Sequence, residues 1–306
     1  MGNTPAPANT STPAPAPTAT PIAGLEAING THLYYEILGQ GAPLFVLHGG
    51  PGASHTYFLP YLGPLSDNYQ LVFYDQRGTG LSDGHLDLSA ITIKQFVADL
   101  EALRIALGFE KISLLGHSWG GNFALAYALQ YPTHLDRLIL ADSIPLNAEF
   151  GIGFSQTMQQ RVQALSASDQ QARATTCAAP SSQLSPAQVA DCNRIDALLR
   201  FYDPAKAAAV AWAMEPNTLK NADTVSSLIN NNFSRVRSDM IAQLPALRVP
   251  TLIIHGDFDP IPLASAEYLQ QRIPGSQLVV IAHSGHFSFI EQPEQFVAAV
   301  RAFLAH

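Results

Sequence analysis

Residues Ile112 to Gly121 read I-S-L-L-G-H-S-W-G-G. The short, mostly apolar run Ile112 to Leu115 has the length of a buried strand, and the apolar period from Asn122 to Gln130 is helical. Between them, Gly116-His117-Ser118-Trp119-Gly120-Gly121 has glycines on either side of Ser118, where a side chain would clash with a sharp strand-to-helix turn. Such a turn thrusts the serine hydroxyl into solvent at the end of a strand, as a nucleophile requires.

Outward from this turn, further short apolar runs read as buried strands: Leu44 to Leu47, Leu71 to Tyr74, Leu138 to Leu140, Thr251 to Ile254 and Leu278 to Ile281. Helical periods lie between them, as in Ile93 to Leu107, where Phe96, Val97, Leu100, Leu103 and Leu107 share a face. Alternation of this kind predicts an α/β fold with a mostly parallel central sheet and helices on both faces. At the amino-terminal side, Gly24 to Ile28 and His32 to Leu38 flank the turn pair Asn29-Gly30 and form an antiparallel hairpin. The alternation stops at about residue 144 and resumes near 248. The core domain is therefore expected at 24–143 and 248–306, with an inserted helical cap at 144–247. Residues 1–23 are rich in Pro, Ala and Thr, lack charge and periodicity, and read as a solvated tether.

A serine hydroxyl is a poor nucleophile until a base takes its proton and an acid fixes the tautomer of that base. With Ser118 as nucleophile, the order Ser, acid, His is satisfied by Asp259, in Gly256-Asp257-Phe258-Asp259, and His286, in Ser284-Gly285-His286. Both follow strands, where loops converge on the serine. Asp142, after Leu138 to Leu140, is the rival acid; Asp257 lies too near the strand end, and His283 is expected to pack locally. His48-Gly49-Gly50-Pro51-Gly52 follows another strand. The amides of Gly50 and Trp119 are the candidate oxyanion donors, and His48 and Gly49 are candidate substrate neighbours.

Three segments together, HGGPG at 48–52, DQRGTGLS at 75–82 and GHSWGG at 116–121, resemble the proline iminopeptidases, peptidases of α/β-hydrolase fold. The resemblance runs from about Gly24 to the carboxyl end and is weakest in the cap. It implies release of an N-terminal residue, preferably proline, from a short peptide through an acyl-enzyme, without a cofactor. It also implies cap glutamates that bind the free α-amino group. Glu215, in Ala211-Trp212-Ala213-Met214-Glu215, is the first candidate and Glu149 the second, with Asp191, Asp196 and Asp203 behind them. Arg77 is expected to brace its loop through Asp75. The same core also serves carboxylesterases, lactonases and amidases, and a silent ligand-binding homologue is the non-enzymatic alternative.

Composition narrows the partners. The 306 residues are 47% hydrophobic, enough for one large core with an insertion. A net charge of −8 without a basic stripe argues against nucleic acid. No apolar run reaches the eighteen or so residues of a membrane span, and no zinc-ligand pattern appears. The expected partner is a small peptide or other small molecule. Cys177 and Cys192 are the two cysteines; bridged, they would stabilise their loop by about 3 kcal/mol on a chain-entropy model. With the tether, they point to a secreted or periplasmic protein, the cytoplasm being the alternative.

Overall fold

A computed structural model describes residues 22–305 except Pro60 and residues 211–214. The tether up to residue 21 therefore lies outside the described residues. Regular structure begins slightly earlier than expected, because Ile22 and Ala23 already pair with Ile37 and Glu36.

The chain opens with β1 (Ile22–Ile28) and β2 (Thr31–Leu38), joined by Asn29 and Gly30, both at positive φ. β3 (Ala42–Leu47) and β4 (Tyr69–Tyr74) follow, then α1 (Ile93–Ala106), β5 (Ile112–His117), α2 (Trp119–Gln130) and β6 (Leu135–Ala141). Between β6 and the next strand the described residues form helices only: α3 (Ala148–Ala164), α4 (Ala167–Ala174), α5 (Pro186–Leu198), α6 (Pro204–Ala209) and α7 (Pro216–Gln243), with short 3-10 turns. The sheet resumes with β7 (Thr251–Gly256), α8 (Leu263–Arg272) and β8 (Gln277–Ile281), and the chain ends in α9 (Ser288–Glu291) and α10 (Pro293–Leu304).

Eight strands form one sheet in the order β1-β2-β4-β3-β5-β6-β7-β8, antiparallel at β1-β2-β4 and parallel from there on. Successive residues of the central strands enter two different cores, as the period-two geometry of a strand demands. Phe45 and Leu47 pack with Val97, Leu100 and Phe123 of α1 and α2, whereas Leu44 and Val46 pack with Phe58, Phe289 and Phe296 on the opposite face. A strand buried on both faces has no polar side to show, which is why these runs read as continuously apolar. Helix α1 starts where the Thr92 hydroxyl accepts the Gln95 amide, and α5 starts with a capping box between Ser185 and Gln188.

Two of the attachments of the helical insertion to the core bear most on the site. Val225, Ile229 and Phe233 of α7 join the core on the α1 and α2 side, Phe233 meeting Trp119 edge-on at 5.9 Å. Farther along the rim, the buried Glu291 carboxylate accepts the amides of Tyr202 and Asp203 from the insertion and of Gly285 from the loop after β8, at 2.9, 2.8 and 2.6 Å. The Cys177–Cys192 disulfide is formed and ties the turn after α4 to α5.

Candidate active site

Ser118 stands between β5 and α2 with φ 56 and ψ −121, a backbone conformation that L-residues seldom adopt. Two things hold it there. Its amide donates to the Ala141 carbonyl at the end of β6, at 2.9 Å. The turn can also close only over bare glycine: a Cβ on Gly116 would run into the Gly120 carbonyl, and one on Gly120 into the Leu47 carbonyl. The hydroxyl is thereby aimed into a cavity of about 400 Å³ above the carboxyl ends of the strands.

The loop after β8 carries His286, whose Nε2 lies 2.9 Å from Ser118 Oγ. The loop after β7 carries Asp259, whose Oδ2 lies 2.9 Å from His286 Nδ1 and whose Oδ1 accepts the Ile261 amide at 2.9 Å. All three residues are buried. Burial pushes the Asp259 carboxyl up, but the charge and hydrogen bond of His286, helped by His255 and the Ile261 amide, bring it below the usual range. Asp142 makes no contact with the His286 ring. Its oxygens accept the Gly256 amide at 2.9 Å and meet the Ser288 hydroxyl at 2.6 Å. Burial, and then the negative charge of Asp259, raise Asp142 well above an ordinary aspartate, the opposite direction to Asp259. Ligand-type atoms of Asp142, His255 and Asp259 lie within 4.8 Å of one another. Each residue is already committed to the protein, His255 Nε2 donating to the Ile261 carbonyl at 2.9 Å.

The loop after β3 lines the other side of the cavity. Gly49 is pinned at both ends: its amide donates to the Tyr57 hydroxyl at 2.6 Å, and its carbonyl accepts His48 Nδ1–H at 3.1 Å. His48 Nε2 in turn accepts the Gln76 amide at 3.0 Å, and burial lowers the His48 pKa to about 4. Among the described residues, the amides of Gly50 and Trp119 have no internal acceptor. Gly50 lines the same cavity as Ser118, and Trp119 follows Ser118 directly in the chain.

The structure places several of the expected residues away from the cavity or on other partners. His48 is wholly buried behind the loop and does not line the cavity, whereas Gly49 does. Glu149 is exposed in the first turn of α3, and Glu215 accepts the Thr56 hydroxyl at 2.9 Å; neither lines the cavity. Trp212 and Met214, proposed neighbours of Glu215, lie outside the described residues. Asp191 pairs with Arg194 and Asp203 caps α6, which leaves Asp196 as the one of the five named cap acids at the cavity. Arg77 does not use Asp75: its Nε and Nη2 grip both oxygens of Asp99 at 2.8 Å. Asp75 instead accepts the amide and ring nitrogen of His55 and the Leu81 amide, at 2.8, 2.9 and 2.7 Å.

A family model described as the alpha/beta hydrolase fold matches residues 42–293. The chain belongs to the alpha/beta hydrolase family. This hydrolase is 28% identical to a proline iminopeptidase of Saccharolobus solfataricus, over 92% of its own chain and 91% of that relative. Among solved structures it is similar to a proline iminopeptidase of Mycobacterium smegmatis, with a TM-score of 0.65, 22% identity and coverage of 93% and 98% of the two chains. It is also similar to a thermophilic esterase of Thermogutta terrifontis, with a TM-score of 0.64, 27% identity and coverage of 94% and 98%. No helix of the described residues is long and apolar enough to cross a membrane.

Sequence reasoning missed several residues of this hydrolase's cavity, four of them with polar groups of chemical interest. Asn193 and Arg200 reach it from α5 and its end, and Asp223 from α7; Tyr57 lies under it. Their signal was faint because a polar residue on a cap helix has the same local pattern whether it faces substrate or solvent. His117, inside the quoted motif, lies buried between Tyr57 and His286.

Proposed function

We propose that the chain is a serine aminopeptidase that releases proline, or another small N-terminal residue, from short peptides. The observation that carries this reading is the unbroken chain from Ser118 to His286 to Asp259, opening onto a cavity beside two unengaged amides. His286, oriented by ionised Asp259, takes the Ser118 proton as the hydroxyl attacks the carbonyl. The amides of Gly50 and Trp119 receive the oxyanion, and His286 protonates the departing amine. Water then repeats the sequence on the acyl-enzyme. No cofactor enters.

Helices α3 to α7 act as a cap that selects substrate. Tyr57, Pro51, Ala53 and Phe287 give the cavity an apolar wall suited to a pyrrolidine ring. Asp196 and Asp223 supply the carboxylates for a free α-ammonium. Asp196 is offset by Arg200, at 2.7 Å, whereas among the described residues Asp223 meets the Ser181 amide and hydroxyl, at 2.8 and 2.7 Å, and no cation, so Asp223 dominates the attraction. Similarity to two proline iminopeptidases supports the peptidase reading. The Cys177–Cys192 bridge supports an oxidising compartment outside the cytosol.

The test is a matched set of substrates: prolyl anilide, N-acetylprolyl anilide and short acyl esters. An aminopeptidase hydrolyses the first and loses at least about 100-fold in kcat/KM on the second, the scale of a buried charged contact. Equal rates on both, with faster ester cleavage, would establish the esterase reading. A silent binding protein would resist labelling by an organophosphorus reagent.

A further inference from the structure

The cavity wall contains a polar path that acyl transfer as proposed above does not use. Tyr57 and His117 are both buried, 5% and 1% exposed, and both border the cavity. His117 Nε2 lies 2.7 Å from the His286 carbonyl, an obligate acceptor, so Nε2 carries the ring proton. Nδ1 is then the acceptor for the Tyr57 hydroxyl at 2.9 Å, and the Tyr57 oxygen accepts the Gly49 amide at 2.6 Å. Every donor in this series points the same way, from Gly49 through Tyr57 and His117 to His286.

The path joins two elements that share no strand. Gly49 precedes the amide that faces the oxyanion, and His286 is the base that faces Ser118. Catalysis requires both to meet one reacting carbon within a fraction of an ångström. We infer that Tyr57 and His117 are positioning residues forming a bridge that holds the Gly50 amide and the His286 ring in register. The inference rests on the acyl-transfer reading of Ser118. Burial, with the nearby positive end of His286, lowers the His117 pKa to about 3, which keeps the ring neutral and both of its nitrogens in their assigned roles.

A bridge fails when either span is removed. In Tyr57→Phe both Gly49 and His117 lose their partner. His117→Asn keeps an acceptor near Nδ1 and loses the donor to His286, whereas His117→Gln keeps that donor and loses the acceptor. Each single variant is expected to lower kcat about 10-fold with KM within about twofold, the signature of an interaction realised in the transition state. Affinity for a prolyl boronate, which forms the tetrahedral adduct, should fall by the same factor. Combining Tyr57→Phe with His117→Gln should add less than about twofold to the worse single loss. A kcat unchanged in Tyr57→Phe, or losses that multiply in the double variant, would overturn the bridge. Nitrogen NMR of the His117 ring in the unmodified protein tests it without any variant: the Nε2–H form with a hydrogen-bonded Nδ1 is expected, and an Nδ1–H form refutes it. Failure of the unmodified protein to cleave any acyl substrate defeats the acyl-transfer reading instead, and the ring tautomer still decides the bridge.

Discussion

At the scale of single residues, two buried aspartates near one another are shifted in opposite directions. Asp259 is lowered because His286 and the Ile261 amide face its oxygens, while Asp142 is raised because burial and the charge of Asp259 outweigh its hydrogen bonds from Ser288 and the Gly256 amide. Substituting a neutral isostere therefore separates them. Asp259→Asn should lower kcat by about 10³ to 10⁴-fold, since the amide favours the wrong ring tautomer. Asp142→Asn should leave kcat within about threefold, because its hydrogen bonds go to Gly256 and Ser288 and not to the His286 ring. Steady-state rates on prolyl anilide decide both. Ser118→Ala should remove turnover by at least about 10³-fold while leaving the circular dichroism spectrum unchanged.

At the scale of elements, α5 is the segment whose placement the substrate would feel most, because Asn193, Asp196 and Arg200 reach the cavity from it and from its end. The disulfide fixes this helix one residue before Asn193. Reduction, or Cys177→Ser with Cys192→Ser, should raise KM severalfold with kcat little changed, and lower the stability of the insertion by up to about 3 kcal/mol. Titration of activity against dithiothreitol, followed by urea unfolding, checks both parts. Glu291 does comparable work at the opposite attachment. Glu291→Gln turns an acceptor of three amides into a group with one donor facing them, which should cost about 2 kcal/mol in unfolding free energy.

For the molecule as a whole, three of the buried histidines contribute to how stability responds to pH, with opposite signs. His48 and His117 have folded values lowered by burial to about 4 and about 3. The unfolded chain therefore binds protons that the native state refuses, and stability falls as pH drops below about 6.5, by about 1.4 kcal/mol per pH unit for each ring. For His55, burial acts downward but Asp75, Glu36 and Glu215 together outweigh it and raise the pKa. Its contribution is complete below about pH 6.5 and fades as pH climbs through the raised value. Urea midpoints measured from pH 5 to 9 should pass through a maximum, and His55→Gln should flatten the alkaline side only.

Much of this architecture was legible in the residues themselves. Apolar runs and turn glycines carry strand position because a doubly covered sheet leaves no polar face, and Gly116 and Gly120 carry the elbow because no side chain fits there. The partners of Arg77 and the acids at the cavity were not legible. Arg77 reaches α1 rather than its neighbour Asp75, and Asp223 faces inward only because α7 packs through Val225 and Ile229; both depend on how helices dock. The amide of His286 donates to the carbonyl of Arg200, at 2.8 Å, so the base of the proposed reaction leans on main chain from the insertion. Transplanting the whole of 144–247 from a relative would thus exchange the backrest of the histidine along with the specificity wall. Chimeras with junctions that leave residues 200–203 in place should retain turnover, whereas those cut beyond them should not.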